Sequence, residues 1–65
     1  MLLTINGDAR EIEAGTVLEF LESRNLSSQM VVVEHNGEIL PRDRFGEVRL
    51  NVGDVLEIVQ MMAGG

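Results

Sequence analysis

Cysteine is absent from these 65 residues. That excludes a disulfide framework, a thiolate zinc site, a thiol nucleophile and a side chain able to store sulfur as a persulfide. Tryptophan and tyrosine are missing too, and Phe20 and Phe45 are the only aromatics, too few for a platform that stacks nucleic-acid bases. The single histidine, His35, has no second histidine or cysteine at ligand spacing, so the sequence assembles no metal centre around it. Positive charge is scarce: five bases face eleven acids, for a net charge of −6 and a pI near 4.4. This is the wrong sign for a phosphate backbone or an anionic membrane surface, and it suits a basic face on a partner protein. No apolar run approaches the roughly 20 residues of a membrane span. The opening Met1-Leu2-Leu3-Thr4-Ile5-Asn6 has no basic region of a signal peptide, so a cytoplasmic protein is expected.

Catalytic patterns are also missing. There is no glycine-rich phosphate loop and no G-x-S-x-G elbow, and Ser23, Ser27 and Ser28 have no neighbouring base. Glu19 and Glu22 stand a turn apart, but on a polar helix face where carboxylates are solvated. The chain does not read as an enzyme.

What is present is a core. Apolar residues make up 45% and charged residues 25% of the chain, close to the averages of soluble domains. One domain spanning residues 1–65 is expected, with residues 61–65 as a flexible tail. Leu2 to Asn6 alternates as a strand, Asn6-Gly7-Asp8 signals a hairpin, and Arg10 to Glu13 returns with Ile12 inward. Thr16 and Glu19 form a capping box that opens a helix running to Arg24 or Asn25. Val17, Leu18, Phe20 and Leu21 share an apolar arc of roughly 160° on that helix. Met30 to His35 is a β-branched strand, Asn36-Gly37 a second hairpin, and Glu38-Ile39-Leu40 its return, stopped by Pro41. Arg42 to Glu47 reads as a surface connection and Val48-Arg49-Leu50 as a brief strand. Val55 to Gln60 is the last strand, with Leu56 and Ile58 opposite Val55, Glu57 and Val59. One helix on one face of a mixed sheet of four to five strands is an α+β domain, and this order of elements is that of a β-grasp.

The end of the chain stands out. Met61, Met62, Ala63, Gly64 and Gly65 follow the last strand, and two methionines are apolar where a frayed terminus is usually polar. Glycines without Cβ atoms can thread a channel too narrow for other residues. The tip is then a carboxylate on an extensible arm, a poor acyl donor until adenylation activates it.

Several blocks together resemble the ThiS family, the ubiquitin-like sulfur carriers of thiamine biosynthesis. They are Asn6-Gly7, Gly15-Thr16-Val17 with Glu19-Phe20-Leu21, Val33-Glu34, then Asn36-Gly37-Glu38-Ile39-Leu40-Pro41-Arg42, Gly53-Asp54 and Ala63-Gly64-Gly65. The resemblance implies that a ThiF-like activating enzyme adenylates the carboxylate of Gly65 with Mg-ATP. A sulfur donor fed by a cysteine desulfurase then displaces AMP to leave a thiocarboxylate, and a ThiG-like thiazole synthase takes the sulfur into the thiazole ring. It implies no bound cofactor, no catalytic side chain, and a monomer whose tail, Met61, Met62, Ala63 and Gly64, enters partner active sites. Val55 and Val59, on the sheet face away from the helix, are the candidate docking surface. All five bases are arginine, so without lysine the activated terminus has no side-chain amine of its own molecule to acylate. Two other classes stay open: the same chemistry serving molybdopterin, cysteine or another sulfur metabolite, and a ubiquitin-like modifier or binding module.

Overall fold

Both Asn-Gly steps close hairpins. Asn6 and Gly7 have φ of 50° and 84°, and Asn36 and Gly37 have φ of 52° and 88°, the doubly positive geometry of a two-residue turn that follows the strand twist. The first joins β1 (Leu2–Ile5) to β2 (Asp8–Glu11), and the second joins β3 (Val31–His35) to β4 (Glu38–Leu40). A computed structural model describes residues 1–13 and 15–61. Its fifth strand, β5 (Val55–Gln60), completes one sheet in the order β2-β1-β5-β3-β4.

The expected neighbouring of first and last strands holds. β5 runs parallel to β1, with Ile5 beside Leu56, and antiparallel to β3, with Val33 beside Ile58. The helix α1 (Val17–Ser23) lies on one face. Its Val17, Phe20 and Leu21 join Leu3, Val31, Val33 and Leu56 in a buried core. Thr16 accepts from the Glu19 backbone at 3.1 Å while the Glu19 carboxylate accepts from the Thr16 backbone at 2.8 Å, so the capping box forms as read. Among the described residues no helix is long and apolar enough to cross a membrane.

Several boundaries differ from expectation, among them the end of β1 at Ile5 and of β2 at Glu11. β2 begins at Asp8 because Asn6 and Gly7 alone make the turn, which sets Asp8 opposite Ile5; Ile12 is buried just beyond the strand, its N–H bonded to the Met1 carbonyl. The helix stops at Ser23, since Arg24 and Asn25 already turn, Asn25 with φ of 59°. A short 3₁₀ turn, Ser28–Met30, takes Met30 from the start of β3. Val48-Arg49-Leu50 is not a strand: it makes one bridge, Arg49 to Thr16. Its backbone is spent on the start of α1, with the Val17 N–H donating to Val48 and the Leu50 N–H to Gly15. The Arg42–Glu47 connection is likewise more than surface, because Phe45 is only 2% exposed and its carbonyl accepts from Leu18 N–H. Together these residues satisfy helix N-terminal donors that have no partner within the helix.

Candidate functional site

β5 organises everything outside the core. It is the central strand, and its period-two alternation sends Leu56 and Ile58 toward the helix and Val55, Glu57 and Val59 to the uncovered face. Val55 is 43% and Val59 62% exposed, so both candidate docking residues stand in the open as read. Met61 continues the same face at 39% exposure, and its N–H donates to the Met30 carbonyl at 2.7 Å. The β5 ladder therefore reaches the residue where the tail was expected to begin. Met62, Ala63, Gly64 and Gly65 lie outside the described residues.

The uncovered face extends sideways from β5. Val32 on β3 is paired with Val59, Ile39 on β4 is paired with Glu34, and Leu2 lies on β1. Each of these apolar side chains is exposed. A sheet with a helix on one face alone normally presents a polar second face, and this one is largely aliphatic.

Two asparagine side chains fasten β5 to its neighbours, a role their turn signal did not disclose. The Asn6 amide spans Ile58, accepting its N–H at 2.7 Å and donating to its carbonyl at 3.2 Å. Asn36 accepts the Val55 N–H on its side-chain oxygen at 2.8 Å, while its own backbone N–H donates to the Val55 carbonyl. Each amide supplies ladder hydrogen bonds past the point where the turn ends the strand.

Asn36 also donates to Asp54 at 3.2 Å, His35 Nε2 lies 2.9 Å from the same carboxylate, and the Asn51 N–H donates to it at 2.9 Å. Burial pushes the Asp54 carboxyl up, but the hydrogen bonds from His35, Asn51 and Asn36 and the nearby imidazole together outweigh it and hold the group below its ordinary value. His35 is thus engaged in a polar knot at the start of β5. Among the described residues no three His, Asp or Glu side chains are gathered as a metal site.

Two of the other polar groups weighed for catalysis serve the helix. Glu19 is held by the capping box, and the Ser23 hydroxyl donates to the Phe20 carbonyl at 2.7 Å. One groove beside α1 is lined by Ile12, Thr16 and Phe20, and a second by Ile5, Arg24, Ile58 and Gln60. Neither brings a nucleophile to a base.

A family model described as the ThiS family matches residues 3–65. The sulfur carrier protein ThiS of Bacillus subtilis is 39% identical over 66 aligned residues, covering 98% of this chain and 100% of that protein. A thiazole synthase of Paramagnetospirillum magneticum is 41% identical and one of Magnetococcus marinus 35%, each across 100% of this chain. The chain spans only 20% of the length of those two proteins. Among solved structures, the crystal structure of a thiamine biosynthesis protein (ThiS) from Geobacter metallireducens superposes with a TM-score of 0.84 at 35% identity, covering 100% of both chains. A solution structure of a thiamine biosynthesis protein from the same organism gives 0.78 at 35% identity, over 100% of this chain and 88% of that one.

Proposed function

This chain belongs to the ThiS family, and from that premise we propose that it carries sulfur for thiamine biosynthesis on the carboxylate of Gly65. The observation that carries the reading is the end-to-end similarity to a sulfur carrier of matching length, in a chain without any thiol. With no cysteine side chain available, the main-chain terminus is the sulfur-bearing atom group. The carboxylate of Gly65 attacks the α-phosphorus of ATP on an adenylating partner and releases pyrophosphate. The terminal sulfur of a persulfide supplied by a cysteine desulfurase displaces AMP from the acyl carbon, and a second thiol on that donor cleaves the resulting acyl disulfide, itself becoming part of a disulfide and leaving a thiocarboxylate. The carrier binds no cofactor and contributes no catalytic side chain; ATP and magnesium belong to the partner.

Two thiazole synthases contain a stretch similar to the whole of this chain, which favours a thiazole synthase as the acceptor enzyme over one serving molybdopterin or cysteine. β5 supports the delivery step mechanically. It is clasped on both sides and ends at Gln60, with the Met61 N–H still bonded to the Met30 carbonyl; Met62, Ala63 and Gly64, which follow in the sequence, serve as the arm that enters the partners' active sites. Val55 and Val59, on the same strand as that arm, dock the carrier.

Intact-mass measurement after incubation with the adenylating enzyme, Mg-ATP and sulfide tests the chemistry. The expected gain equals the difference between one sulfur and one oxygen, and it disappears when Gly65 is deleted. An unchanged mass beside an enzyme shown to adenylate another carrier overturns the proposal.

A further inference from the structure

The groove beside the end of α1 runs against the charge of the molecule. In a chain of eleven acids and five bases, two arginines, Arg10 and Arg24, line it together. Arg10 is opposite Leu3 in the β1–β2 ladder, on the helix side of the sheet, and Arg24 caps the helix end. Asp8 approaches Arg10 at 3.8 Å, too long for a hydrogen bond. Arg24 lies over the Phe20 ring at 5.3 Å and, among the described residues, has no carboxylate within ion-pair distance. The same groove exposes Ile5, Leu26 and Ile58, which the core covers only in part. Its volume of about 390 Å³ falls at the small end of the roughly 300–1,000 Å³ of ligand clefts. The other groove, beside the helix start, is lined by Glu11, Glu13 and Glu19 and repels an anion. Only the groove at the helix end suits a short apolar segment that finishes in a negative charge.

The place where β5 ends indicates the occupant. Gln60, its last residue, itself lines the groove. Beyond Met61 the sequence continues through Met62, Ala63, Gly64 and Gly65, which reach at most about 13 Å when extended. That segment is apolar at its start and, on the carrier reading, bears a free carboxylate at its tip. The alternation that sets Ile58 and Gln60 on one side of β5 gives position 62 to the same side. Starting point, length, polarity and charge all match the tail to the groove.

We propose that this groove holds the chain's own tail in the free carrier, with Met62 against Leu26 and Ile58 and the Gly65 carboxylate between the guanidinium groups of Arg10 and Arg24. A guanidinium offers a carboxylate two parallel donors, which a single ammonium cannot. The inference rests on the carrier reading above, because it gives the reactive end of that reading a resting place. A tail held here is withheld from the adenylating partner. The apparent affinity of the carrier then falls by the fraction of chains whose tails are free.

Nitrogen-15 relaxation of the free full chain tests this, beside R10Q/R24Q and a synthetic chain of unaltered sequence amidated at Gly65. Order parameters of the Gly64 and Gly65 amides are expected above about 0.6 in wild type and below it in both altered chains. Cross-relaxation from the Met62 methyl group to Leu26 is expected in wild type alone. Both alterations spare the core, and unchanged amide shifts across Val31–His35 show that each chain is folded. Wild-type order parameters as low as those of R10Q/R24Q overturn the proposal. Ordering that survives amidation overturns the pairing of the carboxylate with the two arginines. Contacts found only between differently labelled chains overturn it in favour of a second copy. In the adenylation assay R10Q/R24Q is expected to lower KM about fivefold, within the scale of two exposed ion pairs; an equal or higher KM overturns the withholding. The relaxation measurement involves no partner, so its failure leaves the carrier reading standing, and failure of that reading shows instead in the intact mass.

Discussion

Asp54 shows how much a single carboxylate can hold in place. It receives hydrogen bonds from the β3–β4 hairpin and from the turn before β5, so truncating it leaves three donors without their acceptor. Asp54→Ala is expected to cost about 1–3 kcal/mol at neutral pH, read from urea denaturation. Because the folded state holds this carboxyl below its ordinary value, its contribution is complete above the unfolded value near about 3.9 and is lost as pH falls through the folded value. The stability gap between wild type and Asp54→Ala should therefore be widest at neutral pH and close in acid. A gap independent of pH would show that Asp54 acts by shape and not by charge. Little of this was legible in the sequence. Asn36-Gly37 announces a turn through its backbone preference, whereas the reach of the Asn36 amide to Val55 and Asp54 depends on β5 returning beside β3. Local spacing cannot reveal a partner 19 residues away in the chain.

At the scale of elements, α1 is seven residues long, too short to be stable alone. It stands on its cap and its packing. Thr16→Ala should cost about 1 kcal/mol by removing the acceptor for the Glu19 N–H. Gly15→Ala tests the other half of the box. A Cβ there would lie 2.8 Å from Glu19 Oε1, so the flexible carboxylate gives way and its bond to the Thr16 N–H breaks, for about 0.5–1 kcal/mol. Denaturation midpoints of the two single variants and the double variant check both, and strict additivity would mean that the halves do not cooperate. The capping box, both hairpins and β5 were readable because each depends on neighbours within a few residues. Val48-Arg49-Leu50 reads as a strand because its apolar–charged–apolar alternation is local, while its hydrogen-bond partners are Gly15 and Val17 at the helix start. Phe45 was placed on the surface with the charged residues around it, yet it sits in the core under Leu18.

For the molecule as a whole, stability is set by few residues. At about 0.05–0.15 kcal/mol per residue, a domain of this size holds roughly 3–10 kcal/mol. Leu56 is fully buried on the central strand, and Leu56→Ala should cost about 2–5 kcal/mol, a large share of that total. A lowered urea midpoint is the expected readout, and a midpoint equal to that of wild type would contradict it. The overall architecture followed from the order of the elements, and the β1–β5 pairing in particular was foreseeable as the β-grasp arrangement. The opposition of Glu34 and Glu57 was not, since it depends on the exact register between β3 and β5, which a one-residue slip would abolish.

The amide clasps on β5 also govern how the protein ages. An asparagine followed by glycine is the peptide step most open to loss of ammonia, because the glycine nitrogen can attack the unshielded side-chain carbonyl and close an imide ring. Asn6-Gly7 and Asn36-Gly37 are both such steps, and in the fold both side-chain oxygens accept hydrogen bonds from β5. The carbonyl has to leave β5 before it can be attacked, and once converted to a carboxylate, residue 6 loses the donor it offers to Ile58. Each chemical event thus records one earlier opening of the sheet, and the fraction of deamidated chains in a stored sample is a clock for how often the central strand comes loose.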